Sequence, residues 1–158
     1  SDVELAGVPH LDQLPEAEGR PGVRRIALKA PYTAPVMQFA ESAEVRRTLQ
    51  AAMDRKCLAE NRDRFLETLR LRHECARLLG YPSHAHFMLE PKMARTPEAA
   101  EEFLLDLVGR LRGRRDADLR ILRSAKKERE GADAGPLRLW DVPYYVRRHK
   151  AARGVDEA

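Results

Sequence analysis

The chain has 158 residues, 43% of them apolar, 34% charged and only 6% aromatic, with 29 basic side chains against 25 acidic ones and a formal net charge of +4. That length and apolar share allow one domain with a core of its own, and the charged, aromatic-poor balance suits long amphipathic helices and argues against a β-sandwich or barrel. The small basic surplus excludes a polybasic arm, no apolar run reaches the length of a membrane span, and no basic-then-apolar leader pattern opens the sequence. We therefore expect a cytoplasmic protein with neither nucleic acid nor membrane among its partners. Cys57 and Cys75 both fall in helical patterns, so two free thiols are expected.

In chain order, glycine and proline crowd the first thirty-five residues, where a short helix over Pro9 to Leu14 is the most that "GVPHLDQLPEAEGRPG" allows. Val23 to Lys29 reads as one strand stopped by Pro31. A lone strand needs a partner, which an N-terminal segment, a second copy or a further part of a larger protein could supply. A short helix follows from Pro35 to Ala40. Ser42 then caps a helix that carries Val45, Leu49, Ala52 and Met53 and runs on through "DRKCLA". The next long helix places Phe65, Leu69 and Ala76 on one face, His73 beside that stripe, and Gly80 at its stop. Thr96 and Pro97 open the most regular helix of the sequence. Its apolar positions are Ala100, Phe103, Leu104, Leu107, Val108 and Leu111, and it continues past Gly113 to about Glu130, where "GADAGP" breaks it. Asp141 caps a last short helix through "VPYYVRRHK". The expected fold is mainly α: several long antiparallel-packed helices over 32–150, after an irregular lead-in over 1–31 with one short β segment, all in a single helical domain.

Few residue groups suggest chemistry. His73 and Glu74 begin a zinc-peptidase pattern, H-E-x-x-H, but the position of the second histidine holds Arg77, whose guanidinium has no lone pair for a metal. His84 and His86 are two apart, a spacing that on a helix points the rings in different directions, and no acidic or thiol cluster flanks them. Arg110 to Glu130 holds nine basic and four acidic residues. Because the acids are interleaved, as with Arg114 and Asp118, this run reads as a solvated, ion-paired face. Trp140, Tyr144 and Tyr145 crowd "LWDVPYY" in a chain poor in aromatics; they are the candidates for contact with a peptide or partner, and equally suited to pinning a terminal helix onto a core. No catalytic residue and no metal ligand is identified.

The run "RLLGYPSHAHFMLEPKMARTPE", Arg77 to Glu98, closely resembles the thimet-oligopeptidase-like zinc metallopeptidases. "LKAPYTAPVMQFA", "EVRRTLQAAMDRKCLAEN" and "LWDVPYY" resemble further segments of that family in the same order, and "GVDEA" resembles the lead into its next segment. The resemblance covers nearly the whole chain and places it in the amino-terminal helical region of such enzymes. It implies helical wall material beside a deep channel that admits short peptides. In the family a zinc-bound water activated by a glutamate attacks the peptide bond. Its ligands belong to a later half with no counterpart here, so zinc is expected only in a full-length parent and the chain alone is expected to be inactive. The chain is then a fragment or truncated homologue of a zinc-dependent endopeptidase. The alternatives are a stand-alone helical peptide- or protein-binding module and one half of a split peptidase. The implied partners are a peptide, the catalytic half or another protein surface, and a second copy of the chain.

Overall fold

A computed structural model describes residues 1–155. From Asp156 on, the "GVDEA" resemblance lies outside the described residues. The chain groups into two compact units, one made of Ser1–Lys56 with the stretch from Asp118 onward, the other of Cys57–Ala117.

In the first unit a single turn of 3-10 helix at Leu11–Gln13 stands where the short helix over Pro9 to Leu14 is expected. The strand is displaced from Val23 to Lys29. It runs over Arg20–Arg24 (β2) and pairs antiparallel with Glu16–Ala17 (β1), so an N-terminal segment is the partner. Arg24 explains the shift: its guanidinium is held by both carboxylate oxygens of Asp2, at 2.8 and 3.0 Å, and by the Leu14 carbonyl, which anchors the strand several residues earlier than its apolar pattern suggests. The first helix, Ala30–Phe39 (α1), begins before Pro35 and takes Pro31 into its first turn. A proline there loses no intrahelical bond, so Pro31 starts the helix as well as ending the extended segment.

Ser42 caps Ala43–Asp54 (α2), its hydroxyl accepting from the Val45 amide at 3.3 Å. The helix does not run on through "DRKCLA". It stops at Arg55, and Cys57, at φ 55°, turns the chain before the next helix. No glycine or proline marks this break. The Lys56 ammonium, donating to the Leu28 carbonyl at 3.2 Å, ties it to the lead-in instead.

Leu58–Leu78 (α3) ends as Gly80 predicts. Gly80 has φ 83°, its amide donates to Arg77 and the Tyr81 amide to Ala76, the paired bonds of a Schellman stop. His84–Leu89 (α4) follows, and Pro97–Glu130 (α5) begins under the Thr96 hydroxyl, which accepts from the Ala99 amide at 3.2 Å. Helix α5 belongs to the second unit in its first part and to the first unit from Asp118. It ends at Gly131, φ 92°, as the sequence indicates. A turn of 3-10 helix at Leu139–Asp141 leads into Val142–Ala151 (α6).

The buried core lies in the first unit. Leu5, Val8, Val36, Met37, Ala40 and Leu49 form one cluster, with Trp140 packed against it; Leu122, Tyr144 and Tyr145 form another. In Cys57–Ala117, by contrast, Ala76 is the one buried residue among those described. The apolar stripes read from the sequence are present on α3 and α5, yet Phe65, Leu69, Phe103, Leu104, Leu107 and Leu111 are all exposed, Phe103 at 65%. Periodicity specifies an amphipathic helix but not what covers its face.

Candidate functional site

The most organised polar cluster joins α2, the end of α5 and the start of α6. Arg46 and Asp141 are each 1% exposed in their side chains and meet at 2.9 Å. Every other Arg46 donor with a bond goes to backbone: Nε to the Trp140 carbonyl at 3.2 Å, Nη1 to Ala40 at 2.7 Å and to Glu41 at 3.1 Å. The second Asp141 oxygen accepts from the Lys126 ammonium and the Arg138 amide, both at 3.1 Å. Lys126 also donates to Glu130 at 3.0 Å, and the Tyr145 hydroxyl donates to the same Glu130 oxygen at 2.6 Å. Asp141 stands at the N-cap position of α6 as expected. Its carboxylate, however, makes no capping bond to that helix and serves the ion cluster.

Burial on its own pushes the Asp141 carboxyl up; the bonds from Arg46, the Arg138 amide and Lys126 outweigh it and hold the group below its ordinary value. Glu130 follows the same balance, burial raising it and the Tyr145 hydroxyl and Lys126 bringing it down further. For Lys126 burial favours the neutral amine, and its two carboxylate partners reverse that and raise it. Burial and the bond to Glu130 both push the Tyr145 phenol up. All four groups are thus held in the protonation state that binds the next. Such a cluster is an anchor: it fixes α2, α5 and α6 together and leaves no group poised to exchange a proton near neutral pH.

The aromatic candidates sit on this anchor. Tyr144 and Tyr145 are buried, edge to face with centroids 5.1 Å apart, and the Arg46 guanidinium stacks 4.3 Å from the Tyr144 ring. Trp140 is half-buried. The buried cations themselves escape a reading by pattern. The available signal was Arg46, three residues before Leu49 and seven before Met53 on the inward stripe of α2, where a charge persists only when it is paired.

In the second unit His73 and Glu74 are exposed on α3, and Glu74 is taken by the Arg70 guanidinium one turn away. His86 faces the Ser83 hydroxyl, 2.8 Å from Nδ1, and the Glu98 carboxylate, 3.5 Å from Nε2. Nδ1 of His84 is buried without a partner among the described residues. No group of three or more His, Cys, Asp or Glu side chains among the described residues is arranged to hold a metal ion. Among the described residues, no helix is long and apolar enough to cross a membrane.

Residues 36–156 match the family model described as Peptidase family M3. Oligopeptidase A of Salmonella typhimurium is 30% identical over 162 residues, taking in 94% of this chain and 23% of that protein. Saccharolysin of Saccharomyces cerevisiae is 35% identical over 130 residues, covering 79% of this chain and 18% of its own length. A mitochondrial intermediate peptidase of Coccidioides immitis is 44% identical over 89 residues, with 56% and 11% covered. The chain thus spans less than a quarter of the length of these relatives.

Proposed function

This chain belongs to peptidase family M3, and from that premise we propose that it serves as non-catalytic helical wall of a zinc-dependent oligopeptidase that hydrolyses short peptides. The observation that carries the reading is the division of labour between its two units. The first has a closed core and a buried ion anchor. The second displays two long helices whose large apolar residues are exposed. Apolar faces of that extent are built to be completed by another surface. In a parent enzyme the remainder of the peptidase would complete them, with the peptide channel and the metal supplied from that side. Of the three aromatic candidates, Trp140 is the one left exposed enough to meet a peptide, while Tyr144 and Tyr145 position α6.

The test is hydrolysis of quenched fluorescent peptides by the purified chain with and without added zinc. No turnover is expected in either condition. Zinc-dependent turnover abolished by a chelator would overturn the non-catalytic reading. The same uncovered faces support a second reading, a stand-alone module that binds a partner protein or a second copy. Peptidase activity that appears only when this chain is mixed with a separately produced catalytic half would distinguish a split enzyme from either.

A further inference from the structure

Within the first unit, α5 borders a cavity of about 380 Å³ whose lining includes Arg120, Arg123, Ser124 and Lys127 on one side and Pro136 and Leu137 on the other. At 3.6 residues per turn, those four helix positions fall in one sector of about 100°. Lys126 also lines the cavity, but its ammonium is held by Glu130 and Asp141. Arg120, Arg123 and Lys127 are exposed and form no ion pair with any described residue, and no acidic side chain lines the cavity. Earlier on the same helix, by contrast, Arg110 is paired with Asp106 and Arg115 with Asp116, each at 2.8 Å. Across the cavity, the Gly135 and Leu137 amides donate to no described acceptor.

A concavity that gathers three uncommitted cations and no acid concentrates anions from solution. We propose that it binds an acidic peptide segment in extended conformation, with carboxylates at alternate residues. Arg123 and Lys127 are one turn apart, roughly 6 Å along the helix axis. In an extended chain, side chains at alternate residues point to one side and are spaced roughly 6.5–7 Å apart. Two successive carboxylates therefore meet two successive cations, and the guanidinium of Arg123 offers the fork that a carboxylate fills with two bonds. Pro136 and Leu137 give the methylene stems of glutamates an apolar surface, and the unpaired amides suit the carbonyls of an extended backbone. A nucleic acid fits less well. No aromatic side chain lines the cavity to stack on a base, and Glu128, Glu130 and Asp133 interrupt the cationic run that a phosphate backbone would follow. The inference concerns binding alone and does not rest on the peptidase reading.

Fluorescence anisotropy tests it on the whole chain, with a short labelled peptide carrying glutamate at every second residue and a counterpart with glutamine at the same positions. The glutamate peptide is expected to bind at least about tenfold more tightly at low salt and to weaken as salt is added. Combining Arg120→Gln, Arg123→Gln and Lys127→Gln should remove that preference. Arg62→Gln with Arg64→Gln, an exposed pair on α3, should leave it intact. Thermal melts of both variants are expected to match the parent chain because all five positions are exposed. Equal binding of the two peptides, or an equal loss in the α3 variant, would overturn the proposal. Tighter binding of a single-stranded RNA of the same charge, lost in the α5 variant, would overturn it in favour of a polyphosphate site.

Discussion

Arg46 illustrates how a buried charge is made tolerable: four bonds to three backbone carbonyls and one carboxylate replace its hydration, and an aromatic ring covers its face. Replacing it with methionine keeps much of the volume but leaves the buried Asp141 with Lys126 as its remaining charged partner. We expect a loss of about 3–5 kcal/mol, the cost of stranding one partner of a buried pair, measured by urea unfolding of the chain. A loss below about 1 kcal/mol would mean that the cluster is hydrated in solution. The same groups set a pH dependence. Asp141 and Glu130 are held below their ordinary values of 3.8 and 4.5, so their contribution is complete above those values and disappears as pH falls through the lower folded ones. Lys126 is raised above 10.5, so its contribution is complete below that value and is lost as pH rises through the folded one. Melting temperature should therefore be flat between about pH 5 and pH 10 and fall on both sides. Asp141→Asn should flatten the acid limb, and an unchanged limb would assign it to other carboxylates. Gly7 is a different kind of requirement: at φ 89°, a Cβ there would stand 2.6 Å from the Phe39 carbonyl oxygen. Gly7→Ala should cost about 1–3 kcal/mol by the same unfolding measurement.

At the scale of elements, helix ends were legible wherever a side chain or glycine determines them locally. Ser42, Thr96, Gly80 and Gly131 all do so, because a cap or an αL residue is a property of a few consecutive positions. The break at Cys57 and the start of β2 were not legible, since distant groups hold them: the Leu28 carbonyl for Lys56 and the Asp2 carboxylate for Arg24. The ion cluster was hidden for the same reason. Arg46 and Asp141 are 95 residues apart in sequence and meet only once α6 has docked. The aromatic residues beside it could be singled out as a group, but their division into buried tyrosines and a half-buried tryptophan depends on that docking. The apolar stripes of α3 and α5 were read correctly as stripes, and it is their exposure that leads to a prediction. Changing Phe65 and Phe103 to glutamine removes exposed apolar area without opening a core. Stability of the chain should stay within about 0.5 kcal/mol. Binding of a hydrophobic dye, and any concentration-dependent self-association seen by sedimentation, should fall. A large loss of stability would show that these side chains are covered in solution.

For the whole molecule, the two units differ in the one quantity that resists local opening, buried apolar contact. Helices α1, α2 and α6 and the end of α5 enclose the core clusters and the ion anchor, whereas residues 57–117 bury a single alanine. An amide is protected from exchange by the free energy needed to expose it, and a helix with little tertiary packing opens at little cost. Hydrogen exchange followed by mass spectrometry should therefore give slow exchange in peptides from α1, α2 and α6. Exchange should be at least about tenfold faster, equivalent to about 1.4 kcal/mol, in peptides from α3 and from 97–117 of α5. If α3 proves as protected as α2, something covers its apolar face. Repeating the measurement across a hundredfold range of protein concentration then separates the two causes: protection that fades on dilution identifies a second copy as the cover. Addition of the remaining part of an M3 peptidase should bring the same peptides to the level of the core. That would tie the incomplete packing of these helices to the wall they are proposed to form.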